Sequence, residues 1–213
     1  MKIIIFNGGR GAASIINEIK KYKNFHITSV VNAYDDGKST GEIRKFFNML
    51  GPSDIRKVQA NLIDDNYKDY LRLFDYRFSR QTSFNEGLDI LHNFEEKILS
   101  KYNIDDQISK RLSLYNKQFL KVIKKYKKNY NYDFSFNDCS LLNCLYAGGF
   151  VNYNYNFFET INNFKKIFKI KHDVLPNSND NLKMIALRED GRVLYSESEI
   201  VNLRSNVKIH DFF

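Results

Sequence analysis

The sequence predicts an α/β fold built on parallel strands, and three observations predict it. A short apolar run, Lys2-Ile3-Ile4-Ile5-Phe6, opens the chain and reads as a buried parallel strand. It breaks at Asn7-Gly8-Gly9-Arg10-Gly11 and passes directly into a helical pattern, Ala12-Ala13-Ser14-Ile15-Ile16. Residues 25–31, rich in β-branched side chains, then supply a second strand, so the opening is a strand–helix–strand unit. Such units are right-handed almost without exception, which sets the carboxyl ends of both strands at one edge of the sheet.

Ligands of open α/β sheets bind at that edge, and two loops reach it. The first is the glycine turn. Uncovered backbone N–H groups ahead of a helix N-terminus favour an anion, usually phosphate. Glycine also serves tight turns for steric reasons alone, so the turn by itself leaves both readings open. The second loop, residues 32–41, carries Asp35, Asp36, Gly37, Lys38, Ser39 and Thr40. Ser39 reads as the N-cap of the following helix, with Glu42 at capping-box spacing. Glycine, hydroxyl and carboxylate groups converging from two loops carry more weight than either loop alone. Neither common nucleotide fingerprint fits. Gly9-x-Gly11-x-x-Ser14 lacks the third glycine of a dinucleotide fold, and the second strand ends in Val31-Asn32 without an acid. A P-loop would need a glycine where Asn32 precedes Gly37-Lys38-Ser39.

The remaining elements follow in order. The first helix is expected over residues 13–22, with Ile15, Ile16 and Ile19 inward. Leu50-Gly51-Pro52-Ser53-Asp54-Ile55-Arg56 is a turn feeding another helix, with Ser53 or Asp54 as its cap and Arg56 in its first turn. In Tyr76-Arg77-Phe78 an arginine sits between aromatics and is suited to stacking or to phosphate. Residues 81–132 change character: Leu88, Leu91, Phe94 and Ile98, then Leu112, Tyr115, Phe119, Val122 and Tyr126, keep helical spacing. They read as an antiparallel helical pair inserted into the α/β body, with Asp105 as a cap between the arms. The basic stretch at 121–130 reads as a solvated helix face, so nucleic acid is not the expected partner. Residues 137–148 form a capped, mostly apolar helix in which Asn143 needs a partner, backbone or ligand. A further amphipathic helix at 157–168 and short strands at 174–176, 183–187 and 192–195 complete the pattern, with a turn at Asp190-Gly191.

Bulk properties agree. A chain of 213 residues suits a single domain, 1–213, carrying the 81–132 insertion, and 43% apolar residues provide a core. A net charge of +8 favours anionic partners. Cys139 and Cys144, five apart on a probable helix, are not expected to face each other and suit a reducing compartment. No leader and no membrane span is read, and a cytoplasmic location is expected. The four histidines are scattered without metal-ligand spacing.

Taken together, the short motifs resemble the 2-phospho-L-lactate transferase (CofD)/YvcK-like superfamily, nearest its YvcK-like, gluconeogenesis-factor branch. The matching pieces, in family order, include Asn7-Gly8-Gly9-Arg10-Gly11, Asp35 through Arg44, Pro52 through Arg56, Tyr76-Arg77-Phe78, Ser140-Leu141-Leu142-Asn143, Val174-Leu175-Pro176 and Asp190-Gly191-Arg192-Val193. The resemblance implies a three-layer, Rossmann-like parallel sheet holding a nucleoside diphosphate or nucleotide sugar at the strand edge. In the transferase branch a phospholactate-type group passes from a nucleotide-linked donor to an alcohol with a divalent metal, here Mg2+. In the YvcK-like branch UDP-sugars bind in a regulatory role in carbon or cell-envelope metabolism. Carried over, Gly8, Gly9 and Gly11 would face the diphosphate, Asp35 and Asp36 would be the catalytic and metal-binding carboxylates, and Ser39 and Thr40 would donate to phosphate. Asp54, Arg56 and Asn143 would complete the pocket. Arg10 stands where the family usually has Thr, and Lys38 and Ser53 where it has Gly; the two added cations suit a more anionic ligand. The family's later Gly-Pro-Gly-Ser segment is not found before Phe213. A continuation of the chain, a partner chain or a homo-oligomer is expected to complete the site unless the protein is naturally short.

Overall fold

Three parallel strands organise the chain: β1 (Lys2–Asn7), β2 (His26–Val31) and β3 (Asp173–Pro176), hydrogen-bonded in the order β1-β2-β3. The computed structural model describes residues 1–201 and 206–213, leaving out the side chains at 38, 65, 68, 69, 198 and 201. Ile3 lies opposite Ile27, Asn7 opposite Val31, and Ser29 opposite Val174. Period-two alternation therefore gathers Ile27, Ser29, Val31 and Val174 on one buried face.

Between β1 and β2 runs α1 (Ala13–Ile19), which ends before the expected residue 22. After β2 come α2 (Lys38–Phe47), α3 (Pro52–Leu62), a 3-10 turn at Asp65–Tyr67, α4 (Lys68–Asp75), α5 (Phe84–His92), α6 (Phe94–Lys97), a second 3-10 turn at Leu99–Lys101, α7 (Asp106–Tyr130), α8 (Leu141–Asn152) and α9 (Phe157–Ile167). Beyond β3, the strands β4 (Ala186–Arg188), β5 (Val193–Leu194) and β6 (Ile209–Phe212) form a small antiparallel sheet in the order β5-β4-β6. The short helix α10 (Glu197–Val201) lies between β5 and β6 in sequence. The turn at Asp190-Gly191 holds, with Gly191 at φ +81°, a conformation that L side chains rarely adopt.

The buried face of the sheet carries α3 and α9, and the centre of the core is α8. This helix is buried on every side, from Leu141 to Phe150, and is mostly apolar, as a surrounded helix must be. A Cβ added at Gly148 would fall on the Tyr115 carbonyl and lie 3.2 Å from Phe119 N, so glycine there permits the backbones of α7 and α8 to touch. Leu112, Tyr115, Phe119 and Ile123 form the inward stripe of α7. On the other side of α8, Tyr146 stacks on Phe164 of α9 at 3.8 Å between ring centroids.

Asp105 caps α7 as expected, its carboxylate accepting from Gln107 N at 2.8 Å and Ile108 N at 3.3 Å. The other arm of the helical pair is not one helix. Asn93 turns its amide back onto Asp89, donating to the carbonyl and the carboxylate at 3.0 Å each, and α5 stops there.

Several local expectations are corrected. Ser39 does not cap α2; the cap position is Gly37, and the Glu42 carboxylate instead accepts from Ser135 N at 3.1 Å. Neither Ser53 nor Asp54 caps α3, which begins with Pro52 after Gly51. Cys139 and Cys144 do face each other: both are buried and free, with sulfurs 3.6 Å apart, because the helix starts at Leu141 and leaves Cys139 in the turn before it. Strand β6 had no signal in the sequence reading. Finally, β1 is only half-buried on its inner face and exposed on the other. Ile4 and Phe6 point the other way and are 64% and 81% exposed, although their apolar run reads as a strand covered on both sides.

Candidate functional site at the carboxyl edge of the sheet

The carboxyl ends of the strands are laced together by main chain and amide groups. Asn32 N donates to Asn7 O at 3.1 Å, Asn177 N to Val31 O at 2.9 Å, and Ala33 N to Asn177 Oδ1 at 3.2 Å. The glycine turn leaves β1 here. Gly9 is buried, whereas Gly8, Arg10 and Gly11 are exposed. What buries Gly9 is the first turn of α3. A Cβ at Gly9 would clash with Asp54 Oδ1 and lie 2.7 Å from Asp54 Cγ and 2.8 Å from Lys57 Cδ. Lys57 Nζ pairs with Asp54 Oδ1 at 2.7 Å. The turn thus needs glycine for close approach, and it presents its open side next to a carboxylate.

The second loop brings further acids. Asp35 accepts from Gly37 N at 2.9 Å through Oδ1 and from Thr40 Oγ1 at 3.2 Å through Oδ2, which shapes the loop around the start of α2. Asp36 Oδ1 accepts from Glu197 N at 3.0 Å, which docks α10 onto this loop. Glu197 carries no motif, and sequence reasoning passed over it; two glutamates among serines at 196–199 are its only signal. Burial, followed by the nearby charges of Asp35, Asp54 and Asp36, raises the Glu197 carboxyl pKa, although a hydrogen bond from the Asp36 main chain to the Glu197 carboxylate opposes the shift. Its Oε2 is buried without a hydrogen-bond partner. Asp35, Asp36 and Asp54 therefore all act electrostatically on Glu197, and Asp54 lies against the glycine turn.

Behind the acids, a buried polar relay ties α2, α3 and α8 together. Thr40 Oγ1 shares a short hydrogen bond with Ser53 Oγ. Asn143 Nδ2 donates to Ser53 Oγ at 2.9 Å and to Ser39 Oγ at 3.4 Å. Arg56 Nε donates to Asn143 Oδ1 at 3.2 Å, and its Nη1 to Phe74 O at 2.7 Å. Burial is the main cause that lowers the Arg56 pKa, to about 10. The partner that Asn143 needs is therefore this set of side chains. Thr40, expected to donate to phosphate, engages Asp35 and Ser53 inside the protein, Ser39 Oγ accepts from Asn143, and Arg56 and Asn143 tie these side chains together. Arg44, also buried, fixes the loop from its other end by donating to Tyr34 O at 2.7 Å and Asn181 Oδ1 at 2.9 Å.

Cations collect on the far side of the glycine turn. Arg10, Arg56, Lys57 and Arg77, with Asp75, line a cavity of about 320 Å³. Arg77 is itself paired with Asp138 Oδ1 at 2.7 Å. The side chain of Lys38 lies outside the described residues. Among the described residues no group of three or more His, Cys, Asp or Glu side chains is arranged to hold a metal by itself. Mg2+ commonly takes only one or two carboxylates, completing its shell with water and substrate phosphate. The unpartnered Glu197 Oε2 beside Asp35 and Asp36 fits a cation of that kind.

A parallel sheet with a glycine turn and acidic loop at its carboxyl edge defines a Rossmann-like α/β protein. The chain belongs to the CofD family, whose profile, described as 2-phospho-L-lactate transferase CofD, matches residues 3–213. It is 27% identical over 202 residues to a putative gluconeogenesis factor of Thermotoga maritima, a match covering 94% of this chain and 46% of that one. The gluconeogenesis factor of Bacillus subtilis is 27% identical over 209 residues, 97% of this chain and 48% of its own. A crystal structure of a UPF0052 family member from Bacillus halodurans shares the fold with a TM-score of 0.64 at 23% identity, over 100% of this chain and 50% of that one. The chain thus spans about half the length of the relatives it matches. Among the described residues, no helix is long and apolar enough to cross a membrane.

Proposed function

We propose that this chain binds a nucleoside diphosphate or nucleotide sugar across residues 8–11 and 35–41, with Mg2+ between the diphosphate and the acids, in the service of a phospholactate-type transfer. One observation carries the reading: the glycine turn that would cradle phosphate lies against Asp54, which with Asp35 and Asp36 acts on the Glu197 carboxyl. A diphosphate beside these carboxylates is strongly repelled unless a cation intervenes. Asp36 and Glu197 would hold the metal, which when bound would neutralise charge on the phosphoryl oxygens. Asp35, fixed by Gly37 N and Thr40, would keep the loop in place, and Arg10 would face the ligand from the exposed side of the turn.

In such a transfer the acceptor's hydroxyl oxygen bonds to phosphorus as the bridging P–O bond breaks. The nucleoside monophosphate leaves with the bridging oxygen, and a carboxylate takes the hydroxyl proton. The test is phosphorus NMR of a guanosine-diphosphate-linked donor with an alcohol acceptor and Mg2+. Metal-dependent release of nucleoside monophosphate, lost in Asp36→Asn, supports transfer; unchanged turnover in Asp36→Asn counts against it.

The names of the relatives favour a second reading, since gluconeogenesis factors match almost the whole chain. In it the same site takes UDP-sugars as a non-catalytic regulator of carbon or cell-envelope metabolism. Stabilisation by UDP-sugars with no product formed separates the two.

A further inference from the structure

The amino edge of the sheet, opposite the glycine turn, holds a cavity of about 660 Å³. The connections from α1 to β2 and from α9 to β3 wall it, together with the residues that follow α3. Six lysines line it, Lys2, Lys20, Lys21, Lys23, Lys169 and Lys171, against a single acid, Asp64. The whole chain carries only +8. Like charges around one concavity repel each other, and their summed field concentrates anions between them.

Only two of these lysines are answered by an acid. Lys171 Nζ pairs with Asp64 Oδ2 at 3.1 Å, and Lys21 with Glu18 outside the cavity. Lys20 Nζ donates to main-chain carbonyls instead, Asn61 O at 3.1 Å and Ile63 O at 3.3 Å. Lys169 Nζ lies 4.8 Å from the centre of the Tyr67 ring. Its backbone takes φ +52° just past α9, where glycine or asparagine is usual, so a lysine stands there at a conformational cost. Lys2 and Lys23 make no side-chain hydrogen bond or ion pair among the described residues. His172 adds a donor: its Nδ1 accepts from Ile27 N at 3.2 Å, which leaves the proton of the neutral ring on Nε2. The exposed Tyr22 supplies an aromatic wall.

We propose that this cavity binds a triphosphate, inorganic or carried by a nucleoside, without a metal ion. Lys2, Lys20, Lys23 and Lys169 have no acid of their own, and a triphosphate is the shortest chain to bring about four negative charges at neutral pH. Strand β1 is six residues long, which sets the cavity about 20 Å from the glycine turn. The two edges follow opposite charge logic. Acids at the carboxyl edge require a cation between them and a diphosphate, whereas here the protein supplies the cations and bound Mg2+ would weaken the attraction.

The test is isothermal titration of the 213-residue chain in EDTA with tripolyphosphate, ATP, GDP and citrate. One triphosphate should bind per chain, about fivefold more weakly as salt rises from about 50 to 200 mM. Combining Lys2→Glu with Lys23→Glu should weaken it at least about tenfold without lowering the melting temperature, because neither side chain has a partner to lose. In the wild type the His172 ring-proton signal should move on binding, which locates the anion with no variant at all. Tighter binding of ATP than of tripolyphosphate, lost in Tyr22→Ala, assigns the nucleotide; equal binding assigns the phosphate chain alone. Absence of binding in EDTA would overturn the proposal, as would GDP or citrate binding as tightly, or a His172 signal that stays put. Binding that tolerates the double variant but is lost in Arg10→Glu would place the anion beside the glycine turn and also overturn it. The carboxyl-edge site is read with Mg2+ present, so the two proposals fail independently.

Discussion

Asp54 sits where a side chain at Gly9 would be: an added Cβ would meet its Oδ1 and come within 2.7 Å of its Cγ. The contact fixes the glycine turn against the first turn of α3 and puts a carboxylate beside the amides that would receive phosphate. It also explains why Gly9, alone among the glycines at 8–11, is buried.

Gly9→Ala should therefore cost about 1–3 kcal/mol, the usual range for overpacking, read by urea denaturation. Asp54→Ala opens that space. In a double-mutant cycle it should recover a large part of the loss, with Lys57 Cδ at 2.8 Å accounting for the remainder. Strict additivity would show that the contact does not constrain the turn.

Asn143 connects three helices through Arg56, Ser53 and Ser39. Asn143→Ala leaves buried partners unpaired and should destabilise by about 1–3 kcal/mol. Because the relay supports the ligand loop from behind, nucleotide affinity should fall less than it does in Asp36→Asn. Isothermal titration of the two variants checks the order.

Glu197 gives the pH dependence. Its folded-state pKa is raised above the usual 4.5, so the native state binds its proton more readily than the unfolded state. Its contribution is then most favourable below about 4.5 and is lost as pH rises through the raised value. Glu197→Gln removes that loss, so the variant should melt above wild type at neutral pH without metal, with the difference shrinking as pH falls toward 4.5. Added Mg2+ should narrow the gap from the other side by stabilising wild type only.

Cys139 and Cys144 lie 3.6 Å apart in the core, and burial, then the bond to Cys139, pushes the Cys144 thiol well above its usual range. Neither should react with a disulfide reagent such as DTNB in the folded protein, and both should react at once in denaturant. Fast labelling of the native chain would contradict this packing.

Much of the fold was legible because its signals are local. The apolar run at 2–6, the β-branched run at 25–31 and the glycine turn between them specify the strand–helix–strand opening, and the stripe from Leu112 to Tyr126 specifies α7. What was not legible depends on distant partners. Ser39 and Ser53 look like caps, yet Asn143, about a hundred residues away in the chain from Ser39, draws both hydroxyls inward. Glu197 joins the acids only because its main chain reaches Asp36 across 161 positions. The run at Ile3–Phe6 has the composition of a strand buried on both faces, and composition does not reveal where the cover comes from. The acids of the loop and Asp54 were visible as candidates for one pocket; the approach of Glu197 was not.

The most direct measurement is a thermal-shift titration with GDP and UDP-sugars, with and without Mg2+, on wild type and Asp36→Asn. Ligand at about a hundred times its dissociation constant should raise the wild-type melting temperature by roughly 5–10 °C with Mg2+ present, and by far less without it or in the variant. No shift with any nucleotide, or an equal shift without Mg2+ and in Asp36→Asn, would contradict a diphosphate site built on the glycine turn and the neighbouring acids.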